Sequence, residues 1–316
     1  MKCMKKNILL SLILVCAVSC VGKVDLPEFD TPPHLQGTEQ EAPKEDEGND
    51  EGKDEGGKDE GTQDPAIKPA TGAPMKVRFI SYNVGKFNKH ESDLGHKSYP
   101  EVAKVIQEIG GTVVGLNETN SGQATELAKQ LGTGWTGYFA YADNTSYGNS
   151  IVAAPQYKVV REYPRVPIPK VDENTSEVRS LGVVEYEDFV FCVTHLDHKS
   201  IAARKHGVEV ITEWCLANYG PGKTNKPVIL LGDMNCIPAE VTITNFEKNW
   251  DWVSANEYTF PCPNATKCID FVFVLKNGVS YTAGDSHSVF KTTTADIEKA
   301  SDHYPIYADI TFNAQK

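Results

Sequence analysis

The sequence predicts an α/β fold made of two stacked, mostly antiparallel sheets flanked by helices. Three observations lead there. From residue 76 onward, strand-like runs outnumber helical ones, and several consecutive strands are joined by links short enough for hairpins. Helical stretches fall between strands, and no GxxxxGK or GxGxxG loop follows a strand, which argues against a doubly wound nucleotide-binding sheet.

Taken in order, Lys76–Val84 (KVRFISYNV) alternates and reads as a strand. Ser98–Ile109 reads as a helix, with Ser98 as its cap and Pro100 in the first turn. Thr112–Leu116 is a buried strand, followed by a helix at Gln123–Leu131. Strands are expected at Tyr138–Ala142, Ser150–Ala154, Lys158–Tyr163, Val178–Tyr186 and Phe189–Leu196. Ile201–Ala217 is a long amphipathic helix. Val228–Leu231, Cys268–Leu275, Val279–Ala283 and Tyr304–Thr311 complete the strands.

The first 20 residues are excluded from the fold. Lys2, Lys5 and Lys6 precede an apolar run from Ile8 to Val18, the layout of a secretory signal and too short for a comfortable membrane span. Ala17-Val18-Ser19-Cys20 resembles a bacterial lipobox, which makes Cys20 the lipidated first residue of a chain anchored to a bacterial cell envelope, with the outer membrane favoured. Residues 21–75 form a Gly-rich acidic linker whose core repeats Asp-Glu-Gly. It has too little apolar surface to offset ordering entropy and reads as a solvated tether. Residues 24–75 hold 15 acids against 4 bases, whereas the domain at 76–316 holds 28 acids against 23 bases. A mildly acidic domain lacks the basic footprint of a tight duplex-DNA binder. Its length suits one sizeable, monomeric domain. Five cysteines follow Cys20; Cys262 and Cys268 bracket a Pro-rich loop that a disulfide could close, with zinc as the rival reading.

Polar groups gather where strands end. Asn83 closes FISYN, Glu118 closes TVVGLNE, His195 and Asp197 close FVFCVTHLD, and Asp233 and Asn235 close VILLGDMN. Asp270 opens a strand and Asp302-His303 precede another. Strict alternation would put His195 with Asp197, and Asp233 with Asn235, on one face. Carboxylates and amides with few histidines suit a hard oxygen-seeking cation, Mg²⁺ or alternatively Mn²⁺, better than zinc.

In that order, SYN, LNE, THLDH, GDMN, CIDFVFV and SDH resemble the endonuclease/exonuclease/phosphatase (DNase I-like) superfamily over essentially the whole domain. The resemblance implies a four-layer α/β/β/α sandwich and a metal-dependent phosphoester hydrolase. It makes Glu118 the principal metal ligand, with Asn83 beside it and Asp302 at or near the metal. Asp233 orients or deprotonates the attacking water, while Asn235, His195 and an Asp270-oriented His303 donate to phosphate oxygens. Asp197 and Asn149 fall on the substrate side. Asn117 departs from the usual LQE motif, which bears on the branch rather than on catalysis. A nucleic acid, a phospholipid or sphingolipid, and a soluble phosphate ester all remain open as substrates, as does a non-enzymatic surface module. Lys199, Arg204 and Lys205 could form a phosphate-attracting patch or simply a solvated helix face.

Overall fold

In the computed structural model, residues 70–143, 146–173 and 176–315 are described. The expected signal sequence, Cys20 and most of the acidic linker lie outside the described residues. The domain begins slightly earlier than expected. Strand β1 starts at Pro74, and Gly72 and Ala314 extend its pairing through a backbone hydrogen bond.

Two six-stranded sheets carry the fold. The first contains β1 (Pro74–Asn83), β2 (Val113–Asn120), β3 (Thr136–Tyr141), β4 (Tyr147–Ala153), β11 (Tyr281–Ser288) and β12 (Ile306–Asn313), in the order β11-β12-β1-β2-β4-β3. The second contains β5 (Val159–Ile168), β6 (Arg179–Tyr186), β7 (Val190–His195), β8 (Val228–Asp233), β9 (Trp250–Trp252) and β10 (Asp270–Leu275), in the order β5-β6-β7-β8-β10-β9. Each sheet has one parallel pair, β1 with β2 and β7 with β8, and every other pairing is antiparallel.

Between the sheets lies one apolar layer. Val77 and Phe79 of β1, Phe191 and Val193 of β7, Ile229 and Leu231 of β8, and Val272 and Val274 of β10 all face into it. Phe79 packs edge-on to Phe189 and stacked on Phe191, tying the two sheets together at their centres. The sheets approach closely at Gly115, where a Cβ would lie 2.1 Å from Leu231 Cδ1 of the other sheet. Helices α2 (Tyr99–Ile109) and α3 (Gln123–Leu131) cover the first sheet, with Val102, Val105, Ile106 and Leu127 in one cluster with Ile80, Leu116 and Val152. Helix α4 (Ile201–Tyr219) belongs with the second sheet. Its Ser200 cap accepts the Ala203 N–H, and its Thr212 hydroxyl accepts from the indole of buried Trp250. The result is the expected α/β/β/α sandwich.

Most elements lie where the sequence put them. The exceptions are short: α1 (Glu91–Leu94), α5 (Val241–Glu247), α6 (Ile297–Ala300) and the three-residue β9. None is long enough to display a period. Ser98 does precede α2, but its hydroxyl donates to the Ala300 carbonyl and caps nothing. Cys262 and Cys268 are buried free thiols, so the disulfide does not form, and among the described residues neither belongs to a cluster of three metal-ligating groups. Among the described residues, no helix is long and apolar enough to cross a membrane.

Gly232 marks the tightest backbone contact in the second sheet. Its φ is +148°, and a Cβ there would lie 1.8 Å from the Thr194 carbonyl oxygen on β7. Neither backbone can yield without breaking the parallel ladder. We expect Gly232→Ala to lower unfolding free energy by about 3 kcal/mol, read as a fall in the urea midpoint.

Candidate active site

The parallel pairs send four strand ends to one pole, and the antiparallel neighbours begin there. Register then does the positioning. His195, Asp233 and Asp270 are direct partners across β7, β8 and β10, so they form a row on one face. That row continues the inward-facing apolar rows of the second sheet, whose last members are Val193, Leu231 and Val272. The core therefore ends in polar groups where the sandwich opens.

In the first sheet, Asn83 and Asn117 are register partners on β1 and β2. Just beyond, Asn117 and Glu118 stand opposite the single residue Asn149, a β-bulge between the Leu116–Ser150 and Thr119–Gly148 pairs. Glu118 takes φ +55° there, and the bulge turns its side chain to the cavity. Asn117 remains fully buried and works as a clamp. Its Nδ2 donates to the Thr194 carbonyl at 2.7 Å and to Asn149 at 2.9 Å, while its Oδ1 accepts the Asp233 N–H at 2.8 Å. The departure from LQE thus ties both sheets together behind the site.

A cavity of about 690 Å³ opens at this pole, lined at its floor by Glu118, His195, Asp233, Asn235, Asp302 and His303. Asp233 is the hub. Its Oδ1 accepts the Asn235 N–H at 2.8 Å and its Oδ2 accepts from Asn83 at 3.1 Å. The Nε2 atoms of His195 and His303 lie 3.5 and 3.8 Å from the same Oδ2. Burial, with the charge of Asp270, raises the Asp233 carboxyl to about 7. For His303, burial opposes the charge, but Asp270, bonded to Nδ1 at 2.9 Å, outweighs it and lifts the imidazole to about 9. His195 goes the other way. Burial and then the neighbouring Arg179 push it well below its ordinary value, so it is neutral.

Sequence reasoning missed Arg179. It is 4% exposed, its Nη1 lies 3.1 Å from His195 Nδ1, and its Nη2 lies 2.7 Å from Glu177. An arginine only donates, so His195 Nδ1 accepts and the ring proton sits on Nε2. Asn235 Nδ2 lies 2.8 Å from that Nε2, and its orientation is fixed by donation to the Leu196 carbonyl at 3.0 Å. Two N–H groups therefore converge beside Asp233, whose Oδ2 lies 3.5 Å from His195 Nε2. The Nε of Arg179 is buried without a partner. The floor carries a surplus of donors. Arg179 ends up in the site because β6 begins at the same pole, and its only sequence signal was a charge near the start of an expected strand.

The remaining expectations divide. Asn83 is buried behind the floor, bridging Glu118 at 3.3 Å and Asp233 through its amide nitrogen. Asp197 does not line the cavity, because β7 ends at His195 and the alternation ends with it. Its carboxylate instead accepts the backbone N–H groups of Glu177, Lys199 and Ser200. Asn149, also absent from the lining, accepts from Asn117. Nor is there a basic patch on α4. Arg204 is buried in a bidentate pair with Glu240, Lys199 pairs with Glu177, and only Lys205 is left as a solvated face.

Over residues 80–303 the sequence matches the Endonuclease/Exonuclease/phosphatase family. The chain belongs to this family. Its members are phosphoester hydrolases that generally use a divalent metal, and the sandwich is the family's DNase I-like fold. No curated protein sequence matches the chain. Among solved structures, a family protein from Bacteroides thetaiotaomicron superposes with a TM-score of 0.61 at 22% identity, covering 76% of this chain and 99% of its own. A mannosyl-6-phosphatase from B. thetaiotaomicron VPI-5482 gives 0.62 at 21% identity, covering 74% and 99%. D. rerio TDP2 complexed with a single-strand DNA product gives 0.58 at 16% identity, covering 74% and 98%.

Two groups of side chains bear on the family's metal. Asp233, Asp270 and His303 bring ligand atoms within 4.8 Å of one another. Without metal, that group is held by the His303–Asp270 pair, which lifts the imidazole to about 9 and which a cation binding there would displace. Glu118 and Asp302 are the other carboxylates of the cavity floor, with the Lys89 ammonium 2.7 Å from Asp302 and within the field of Glu118. Two carboxylates that draw in a cation fit a hard divalent ion.

Two predictions follow from these contacts. Asn117→Ala leaves three buried polar groups unpaired and should lower stability by about 3 kcal/mol in urea denaturation. Without metal, stability should fall as pH rises. The protonated His303 contributes fully below its ordinary 6.5, and that contribution is lost as pH climbs through about 9. Asp233, raised from 3.8 to about 7, acts in the same direction at lower pH. In chelator, Asp270→Asn should flatten the fall above neutrality in the denaturation midpoint.

Proposed function

We propose that this protein is a divalent-metal-dependent phosphoester hydrolase that directs water at phosphorus. One observation carries the reading: the His195 Nε2 and Asn235 Nδ2 donors converge beside the Asp233 carboxylate at the floor of the cavity. A phosphoryl oxygen is an acceptor of the right charge for those donors, and its charge grows during attack.

The residues divide the work. Asp233, ionised above about 7, orients the water and takes its proton. Neutral His195 and Asn235 donate to one non-bridging oxygen, and the protonated His303, steered by Asp270, donates as a charged group. Arg179 fixes the His195 tautomer. Glu118 and Asp302 would hold the cation, Mg²⁺ or Mn²⁺, with Asn83 setting the angle of Glu118; the ion would supply Lewis-acid stabilisation of phosphoryl charge. As water adds to phosphorus, the ester oxygen leaves and takes up a proton. The two named neighbours point to different substrates, a mannosyl phosphate and a DNA product. At their level of identity the likeness concerns the fold.

The lipobox reading adds a location. Cys20 would tether the domain to the cell envelope through the acidic linker. Cys20→Ser should move the protein from the membrane to the aqueous fraction on detergent partitioning.

The catalytic test uses a bis-aryl phosphodiester and an aryl phosphomonoester with Mg²⁺. Asp233→Ala and His303→Ala should each cut kcat by about a thousandfold or more while the far-ultraviolet circular dichroism is retained, and chelator should abolish turnover. Near-normal turnover in either variant would sink the assignment.

A further inference from the structure

Above its floor, the cavity has a second half with a different character. Two hairpin connections build it. The β3–β4 link brings Ala142, Asp143 and Tyr147, the β5–β6 link brings Lys170, Glu177 and Val178, and His198 follows β7. Glu177 is its centre, 2.7 Å from Arg179, 3.3 Å from His198 and 3.4 Å from Lys199. A continuous polar wall thus runs from His195 through Arg179 to the cavity mouth, where Glu177 and His198 are 38% and 48% exposed.

This wall suits some leaving groups and disfavours others. A polynucleotide backbone is held by cations whose charge is not already met. Here Arg179, His198 and Lys199 share Glu177, and Lys170 pairs with Glu173 at 3.4 Å. Nucleobases are held by stacking on aromatic faces. Of the two aromatic side chains in the lining, Tyr147 carries the Lys86 ammonium over its ring at 4.9 Å, and Phe260 lies against His303 at 4.7 Å. An acyl chain needs apolar walls, and the aliphatic lining is only Ala142, Val178 and Ile269. Closely interleaved donors and acceptors, with little net charge, match a neutral group dense in hydroxyls.

We propose that this outer half is a hydroxyl-recognition subsite, and that the substrate is a phosphate ester of a small polyhydroxylated molecule of the sugar or cyclitol kind. The assignment rests on the phosphoester hydrolase reading above. Glu177 accepts from substrate hydroxyls while Lys170 and His198 donate to them, and the cavity of about 690 Å³ has room for a monosaccharide phosphate. The hydroxyls count because bonds to Glu177, Lys170 and His198 would orient the ester over the floor, and an alcohol that lacks them is held less well.

The test compares kcat/KM with Mg²⁺ for hexose 6-phosphates, myo-inositol monophosphate, n-butyl phosphate, a 5′-nucleotide and a single-stranded oligonucleotide. A hexose 6-phosphate and butyl phosphate both release a primary alcohol, so their ratio isolates the hydroxyls. The best polyol phosphate should exceed butyl phosphate and both nucleic-acid substrates by at least about a hundredfold. Glu177→Gln should shrink the polyol-to-butyl ratio by about tenfold, and Lys170→Met provides a second reading if the first variant fails to fold. An oligonucleotide or butyl phosphate turned over as well as every polyol phosphate would overturn the inference, as would a ratio unchanged in both variants. Inactivity on all five substrates and on the aryl phosphates would instead overturn the hydrolase reading beneath it.

Discussion

The site depends on where two parallel strand pairs stop. Inward rows of a sandwich must be apolar while another sheet lies opposite, since a buried polar group without a partner is costly. Past Val193, Leu231 and Val272 the sheets no longer close over the rows, and the same inward positions become His195, Asp233 and Asp270. One geometric rule, side chains in register on neighbouring strands, therefore makes both the core and the catalytic row. A slip of one residue in β8 would turn Asp233 away and Gly232 inward. The contact between Gly232 and the Thr194 carbonyl fixes that register from the backbone side.

Placing these groups together has an electrostatic cost that the surroundings only partly offset. Asp233 and Asp270 are both buried, and burial first, then the repulsion of Asp270, lifts Asp233. Protonated His303 sits between them, 2.9 Å from one and 3.8 Å from the other, and reduces the repulsion without removing it. On the opposite side the cation is Arg179, and its effect is reversed, since a positive neighbour adds to burial in keeping His195 neutral. The two histidines are therefore not equivalent. One is a charged donor and the other a neutral donor of fixed tautomer, each set by a different partner on a different strand.

The sequence showed the floor of the site far better than its walls. Strand alternation and the order of SYN, LNE, THLDH, GDMN and SDH located Asn83, Glu118, His195, Asp233 and His303, because each ends or flanks an apolar run long enough to read. Asp197 and Asn149 were misplaced for a local reason. Extending alternation past His195 assumes that the strand continues, whereas β7 ends there, and at Asn235 the backbone itself turns to φ +50°. Asn149 lies opposite a bulge, and no period announces an extra residue. Arg179, Tyr147, Lys170 and Glu177 could not be found this way at all. They come from hairpin connections and strand starts that share a pole only once the strand order is known.

That division between floor and wall has a physical consequence. Floor residues sit on or beside the ends of the central strands, where sheet register and the Asn117 clamp hold them. Wall residues sit mainly on the connections beside β3 and β5, which are the edge strands of the two sheets. Substitution there changes which groups face the leaving alcohol while leaving the phosphate-facing donors in place. Arg179 is where the two parts meet. Its one guanidinium fixes the tautomer of His195 on the chemical side and holds Glu177 on the recognition side. A substrate that engages Glu177 therefore bears, through a single planar group, on the donor that faces the reacting phosphate.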